Sequence, residues 1–293
     1  DVKRFFSYSS FVKSRCPACA RKRQTVQFSK SGFTYVTCNA CATLFVNPRP
    51  TPAMLEAFYA RSPSSRYWVH SFFKPVAEAR RKKIFAPRAE FIARTISRKN
   101  KGIAGDIGAG FGLFLEELRK RTQYSRFIAI EPSVEMAAIC RRKKLEVIPS
   151  CFEDIPQSAA SFDLLTAFEL TEHLFAPEKF FKKAYALLKP GGSFVLTTLN
   201  GNGFDILALW EKSKSLTPPH HLNFFNPASL CNLLEKIGFT ITDLSTPGKL
   251  DWNIVEGMIR DEHLRTNKFF EFLAACGSSE CKDEFQKWIS THA

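Results

Sequence analysis

The sequence predicts an α/β protein, a mostly parallel sheet with helices on both faces, preceded by a small N-terminal metal-binding module. Three observations predict it. From Gly102 onward, short β-prone runs alternate with amphipathic helical stretches, the signature of βαβ units. A glycine-rich loop, Asp106-Ile107-Gly108-Ala109-Gly110-Phe111-Gly112, joins the first of these runs to a helix. Upstream stand two paired thiol motifs, Cys16-Pro17-Ala18-Cys19 and Cys38-Asn39-Ala40-Cys41.

The 293 residues suffice for one large domain with a small accessory module. A hydrophobic content of 45% that includes 29 Phe excludes a disordered chain. No apolar run approaches the length of a membrane span and no export signal is evident, so the expectation is a soluble, cytoplasmic protein. Residues 1–105 carry 21 Lys and Arg against 4 Asp and Glu, and the rest 21 against 24. The basic character therefore belongs to the N-terminal third. Such a region attracts nucleic acid, acidic glycan or anionic lipid, or is a solvated helix face around Arg80-Arg81-Lys82-Lys83.

The elements follow in order. Cys16, Cys19, Cys38 and Cys41 have the spacing of a four-thiolate zinc ribbon, a closed structural site. The β-prone Thr34-Tyr35-Val36-Thr37 runs into the second pair. Asn47-Pro48-Arg49-Pro50-Thr51-Pro52 closes this module, since its prolines continue neither helix nor central strand. A helix is expected over Pro52–Tyr59, then a Ser/Pro-rich loop over Ser62–Ser65, then a basic helical region over Lys74–Ser97 interrupted near Pro87. Strands are expected at Ile103–Ile107, Phe127–Ile130, Glu146–Ile148, Phe162–Phe168, Ser193–Thr198 and Phe239–Leu244. Helices lie at Leu113–Arg121, Ser133–Lys144, Pro177–Leu188 and Pro227–Ile237, the last two entered at a proline suited to the first turn. Lys189-Pro190-Gly191-Gly192 stops a helix. Beyond Pro247-Gly248 the chain reads as helical. The organisation expected is a zinc ribbon over 11–50, a basic helical connector or lid over 51–100, a core over 101–250 and a helical extension over 251–293. The remaining cysteines show no paired spacing.

In the glycine loop, backbone that turns tightly and a helix N-terminus suit close approach to an anionic or nucleoside ligand. Glu131 stands at the end of the second strand, where a carboxylate can accept both ribose hydroxyls; it also suits the start of the following helix. Phe168-Glu169-Leu170-Thr171-Glu172-His173 ends the fourth strand. If helical, it places Glu169, Glu172 and His173 on one face, a donor set for Mg²⁺ or Mn²⁺.

Over residues 101–245 the chain resembles the class I S-adenosylmethionine methyltransferases. The resemblance rests on Gly105 to Gly112, Ala129-Ile130-Glu131-Pro132-Ser133, Ser161-Phe162-Asp163-Leu164-Leu165, Glu172-His173 and Leu188-Lys189-Pro190-Gly191-Gly192-Ser193-Phe194. It implies a Rossmann-like fold in which Asp106 and the Gly108, Ala109, Gly110 and Gly112 backbone hold the methionine portion of the cofactor. Glu131 would hold the ribose, with Phe152 and Glu153 at the adenine, and Glu169 is a further cofactor-binding candidate. Cys151 stands where many relatives carry an adenine-binding Asp.

Glu172-His173 is also similar to ubiquinone-type and small-RNA methyltransferases, which implies a downstream histidine. Here that is His220 or His221, with His221 favoured by its place before Leu222 and an aromatic pair. Two readings stay open. His173 or His221 is a general base, or Glu169, Glu172, His173 and His221 bind a divalent ion. Phe45-Val46-Asn47-Pro48-Arg49-Pro50 resembles the junction of bacterial methyltransferases with an N-terminal zinc ribbon, and Tyr67-Trp68 and His70 fall where relatives place a lid.

The activity implied is O-methylation of a small molecule or a glycan sugar. The alternatives are RNA methylation using the basic N-terminal region, and a non-catalytic scaffold that keeps the fold.

Overall fold

The computed structural model describes residues 2–63, 67, 75–96, 101–157, 161–248 and 251–292. Trp68 and His70 of the expected lid lie outside the described residues, as do Ser64 and Ser65 of the expected loop and Lys74 and Ser97 at the ends of the basic helix; Tyr67 is exposed. In chain order the strands are β1 (Gln24–Lys30), β2 (Phe33–Cys38), β3 (Leu44–Val46), β4 (Ile103–Ile107), β5 (Arg126–Ile130), β6 (Glu146–Ile148), β7 (Phe162–Phe168), β8 (Leu188–Thr197) and β9 (Asn223–Phe224). Two compact units are formed, Asp1–Ser7 with Thr51–Thr197 and Tyr8–Pro50 with Thr198–Ala293.

The first unit holds a five-stranded sheet in the order β6-β5-β4-β7-β8, every pair parallel. Apolar side chains from helices Ala86–Thr95, Leu113–Arg119 and Val134–Arg142 bury one face, where Ala89, Ile92, Phe114, Leu115, Leu118 and Cys140 meet Ala104, Ala129 and Leu164. Val195 of β8 packs on this cluster. Its neighbour Phe194 must point to the other face. There it meets Phe180 and Phe181 of helix Pro177–Leu187, with ring centroids 6.5 and 6.1 Å away. The sheet is thus covered on both sides, as a parallel sheet requires.

Where the sequence predicts a break near Pro87, the helix runs on. Ala77–Arg80 and Ala86–Thr95 are joined by a π turn over Arg81–Phe85. One wide turn absorbs the hydrogen bond that proline cannot make. Arg81 in this turn reaches Glu116 at 2.7 Å and Glu117 at 3.1 Å, fixing the π turn to helix Leu113–Arg119. The helix expected to reach Leu188 ends at Leu187, and β8 begins at Leu188, ahead of the expected Ser193; Pro190-Gly191-Gly192 loops out within it between the pairs Phe162↔Leu188 and Leu164↔Ser193.

The second unit joins a four-stranded antiparallel sheet, β1-β2-β3-β9, to the C-terminal helices. Its last strand comes from residues far along the chain, as Leu44 pairs with Phe224 and Phe45 with Asn223. Helices Asp251–Arg260, Lys268–Cys276 and Ser279–His292 follow. They pack Trp252, Val255, Met258, Leu273, Ala274 and Ile289 around Leu209. The strand expected over Phe239–Leu244 is not formed: the segment has no regular secondary structure, is largely exposed and belongs to neither sheet. β-prone residues make a strand only where a sheet edge accepts them.

Glu117 is 5% exposed and receives Lys120 and Arg121 at 2.6 Å in addition to Arg81. Burial raises its carboxyl, but these hydrogen bonds outweigh burial and bring it down to about 2. A depressed carboxyl stabilises the fold above its unfolded value and loses that contribution as pH falls through the folded one. Glu117→Gln is expected to lower stability by about 2–3 kcal/mol at neutral pH. Urea midpoints measured against pH should show the gap to wild type closing between the ordinary carboxylate range and about 2.

Candidate active site

The carboxyl ends of β4, β5, β7 and β8 gather the polar groups of the first unit, the place where open α/β sheets bind ligands. After β4, Gly108, Gly110 and Gly112 all take left-handed backbone, with φ of +70°, +54° and +69°. The Gly108 and Ala109 N–H groups donate to the Ile130 carbonyl at 2.9 and 3.3 Å, tying the loop to β5. A methyl added at Gly112 would stand 2.7 Å from Leu145 Cδ1, so this glycine serves packing. A methyl at Gly110 would meet nothing within 4 Å, so this backbone faces open space.

Glu131 sits just beyond β5 and is 6% exposed. Its Oε2 accepts the Gly110 N–H at 2.8 Å and its Oε1 the Ser133 N–H at 2.9 Å. Burial raises its carboxyl, opposed by these two N–H groups. Asp106, at the end of β4, accepts the Thr166 hydroxyl at 2.6 Å. Burial, with the Glu131 charge adding to it, pushes Asp106 up to about 7 against the pull of Thr166 and Arg88. These two carboxylates and the glycine backbone could hold a cationic, hydroxyl-bearing ligand.

Glu169 does not join a helix with Glu172 and His173. It ends β7 with φ of +51°, and only Thr171–His173 forms a 3₁₀ turn. The left-handed turn sends the Glu169 carboxylate to Arg88 at 2.7 Å and to the Thr197 hydroxyl at 2.8 Å. Arg88 also lies 4.8 Å over the Phe168 ring. Sequence reasoning missed Arg88, a half-buried guanidinium at this edge. It stands five residues beyond Lys83, across Ile84-Phe85-Ala86-Pro87, and no local feature of the sequence marks it. Phe152 is buried against Phe180 at 5.0 Å, while Cys151 and Glu153 beside it are exposed.

Glu172 is 1% exposed, and His173 Nδ1 lies 3.4 Å from the Tyr59 hydroxyl of helix Pro52–Arg61. In the second unit, His221 Nδ1 lies 2.7 Å from the Ser215 carbonyl. A carbonyl only accepts, so Nδ1 carries a proton, and in the neutral ring this leaves the lone pair on Nε2, the form a base or a metal ligand needs. Burial lowers neighbouring His220 to about 4.

The four ribbon thiols converge within 4.8 Å of one another, Cys16 to Cys41 and Cys19 to Cys38 at 3.5 Å. These separations are too long for disulfides, about 2 Å. They are close to the spacing of about 3.8 Å set by tetrahedral Zn–S bonds. The two knuckles repeat one geometry. Ala20 and Ala42 follow the second cysteine of each pair with φ of +59° and +56°, and their N–H groups donate to the carbonyls of Cys16 and Cys38. The donor set and its shape fit Zn²⁺.

A family model described as a methyltransferase domain matches residues 76–244. The ubiquinone biosynthesis O-methyltransferase of Coxiella burnetii (strain Dugway 5J108-111) is 28% identical over 169 residues, 54% of this chain and 71% of the relative. That of Xanthomonas axonopodis pv. citri (strain 306) is 29% identical over 153 residues, 48% of this chain and 63% of the relative. Among solved structures, the plantazolicin methyltransferase in complex with SAH matches with a TM-score of 0.52 at 16% identity, over 80% of this chain and 89% of that one. This last likeness is one of fold.

Gly112→Ala and Gly110→Ala both place a methyl on left-handed backbone, a cost of about 1 kcal/mol each. Only the first meets a neighbour. Urea denaturation is expected to show a loss for Gly112→Ala about twice that for Gly110→Ala; equal losses would show that Leu145 makes room.

Proposed function

We propose that this chain, which belongs to the methyltransferase domain family and is a class I S-adenosylmethionine-dependent methyltransferase, methylates an oxygen of a small molecule or of a glycan sugar. The observation that carries the reading is the Glu131 carboxylate, buried at the end of β5 and aimed at the Gly110 backbone. The names of the curated relatives support oxygen as the acceptor atom. The cytoplasm is the proposed compartment, with nine free cysteines. No helix among the described residues is long and apolar enough to cross a membrane.

The residues fit the cofactor as follows. Glu131 accepts ribose hydroxyls, the 108–112 backbone and Asp106 hold the methionine end, and Arg88 stands at the same edge for its carboxylate. Phe152 and Glu153 border the adenine. S-adenosylmethionine supplies a methyl already activated on a sulfonium. The protein then aligns the acceptor, excludes water and removes one proton. We assign that proton to His173, with His221 as the second candidate base. The divalent-ion reading, which uses Glu169, Glu172, His173 and His221 with Mg²⁺ or Mn²⁺, is less favoured because Glu169 gives its carboxylate to Arg88 and Thr197. Zn²⁺ is proposed at Cys16, Cys19, Cys38 and Cys41 as a structural ion.

RNA methylation is a second reading, favoured by Lys13, Arg15, Arg21, Lys22 and Arg23, all exposed on the ribbon. Binding of a labelled RNA that falls steeply with salt supports it. The chain is an enzyme, so the scaffold reading is not carried forward.

Transfer of labelled methyl into fractionated extract is expected to mark small molecules or glycan and, in protein whose ribbon zinc is verified as retained, to persist in EDTA. Loss in EDTA with recovery in Mg²⁺ or Mn²⁺ establishes the metal reading instead. His173→Ala is expected to lower kcat about 10²–10⁴-fold. Asp106 titrates at about 7, and only its ionised form attracts the cofactor's ammonium group. The KM for S-adenosylmethionine is therefore expected to rise as pH falls below that value, and Asp106→Asn to abolish the dependence.

A further inference from the structure

The zinc ribbon and the segment that carries His221 belong to one unit, and the contacts between them are dense and specific. Lys30 of β1 donates to the Ser213 carbonyl at 2.7 Å. Val46 N–H at the end of β3 donates to the Leu222 carbonyl at 2.9 Å, one residue past His221. The β3–β9 pairing continues this contact through Asn223 and Phe224. Buried Arg49 donates to the Asn223 amide oxygen at 3.2 Å. The amide of Asn226 donates to the carbonyl of Cys41 itself at 2.9 Å, so one hydrogen bond separates the second thiol knuckle from the residues after His221. On the other side, His221 is held from within its own loop, by its N–H to Thr217 and its Nδ1 to Ser215. Ser213 Oγ and Ser215 Oγ both donate to buried Asp205, which anchors the start of that loop.

We propose that the thiol cluster acts on the reaction as a positioning device. By closing the second knuckle, bound Zn²⁺ fixes Cys41 and β3, and through Asn226, Arg49 and β9 it fixes the loop that presents His221 Nε2. The ribbon is then a brace for a catalytic-side histidine, with Asn226 as its positioning residue. A metal that folds a knuckle also orders whatever is hydrogen-bonded and strand-paired to it. The proposal rests on the reading of His221 as a functional histidine, and goes beyond it by saying what holds that histidine in place.

The test separates brace from base. Asn226 also caps helix Pro227–Ile237, accepting the Ser229 N–H through its Oδ1. Asn226→Asp keeps that acceptor and removes the donor to Cys41. Hydrogen exchange on the full chain is followed with and without a zinc chelator, and in Asn226→Asp with its zinc content measured. The expected result is faster exchange, by about tenfold or more, over residues 217–224 on zinc removal. In Asn226→Asp the same segment should loosen with zinc retained, kcat should fall several-fold and the KM for S-adenosylmethionine should stay unchanged. Unchanged exchange over 217–224 while residues 16–20 and 38–42 lose protection overturns the coupling. Full kcat in His221→Ala overturns the functional reading beneath it, and leaves the exchange result to decide the coupling alone.

Discussion

One carboxylate sets the shape of the donor edge. Glu131 is nearly inaccessible to solvent, yet among the described residues its hydrogen bonds come from backbone and not from a cation: its two oxygens accept the N–H groups of Gly110 and Ser133. A buried carboxylate is tolerated only if its acceptors are filled, so the glycine loop and the start of helix Val134–Arg142 must both come to it. The left-handed φ of Gly110 is the backbone's answer to that demand, while Gly108 ties the loop to β5 and Gly112 packs it against Leu145. Burial lifts Asp106 to about 7, and the Glu131 charge adds to that lift. The position of Gly110 and the start of the following helix thus answer to one group.

The opposite rim depends on a helix irregularity. A regular helix through Pro87 would lose a hydrogen bond and clash with the preceding turn. The π turn over Arg81–Phe85 relieves both and lets two arginines point productively, Arg81 to Glu116 and Glu117, and Arg88 to Glu169 and the Phe168 ring. Arg88 balances an edge otherwise rich in carboxylates. Its ion pair explains why Glu169 turns left-handed away from the 3₁₀ turn bearing Glu172 and His173.

Much of this was legible in the residues. The β4, β6 and β7 runs, the helix entered at Pro177 and the loop with Glu131 could be read directly, because periodicity, turn chemistry and spacing agree there. The class I resemblance drawn from those motifs is borne out by the family match over 76–244. Long-range pairing was not legible. Nothing local in Asn223-Phe224 says that it completes the ribbon's sheet, and nothing in Phe239–Leu244 says that no edge awaits it. Glu169 was placed on a helix face because spacing alone cannot report a single left-handed residue, and Arg88, set apart from the basic run by Ile84-Phe85-Ala86-Pro87, carries no local mark of its pairing with Glu169.

The account stands on the claim that Glu131 and the loop it orders form the cofactor site. The most direct measurement is a calorimetric titration of S-adenosylmethionine into wild type and Glu131→Gln, with melting curves to confirm that both are folded. The account predicts one cofactor per chain for wild type and a loss of affinity of about tenfold or more for the variant, since a buried acceptor facing a hydroxyl contributes about 1.5–3 kcal/mol when charged. Equal affinity in a folded Glu131→Gln would contradict it.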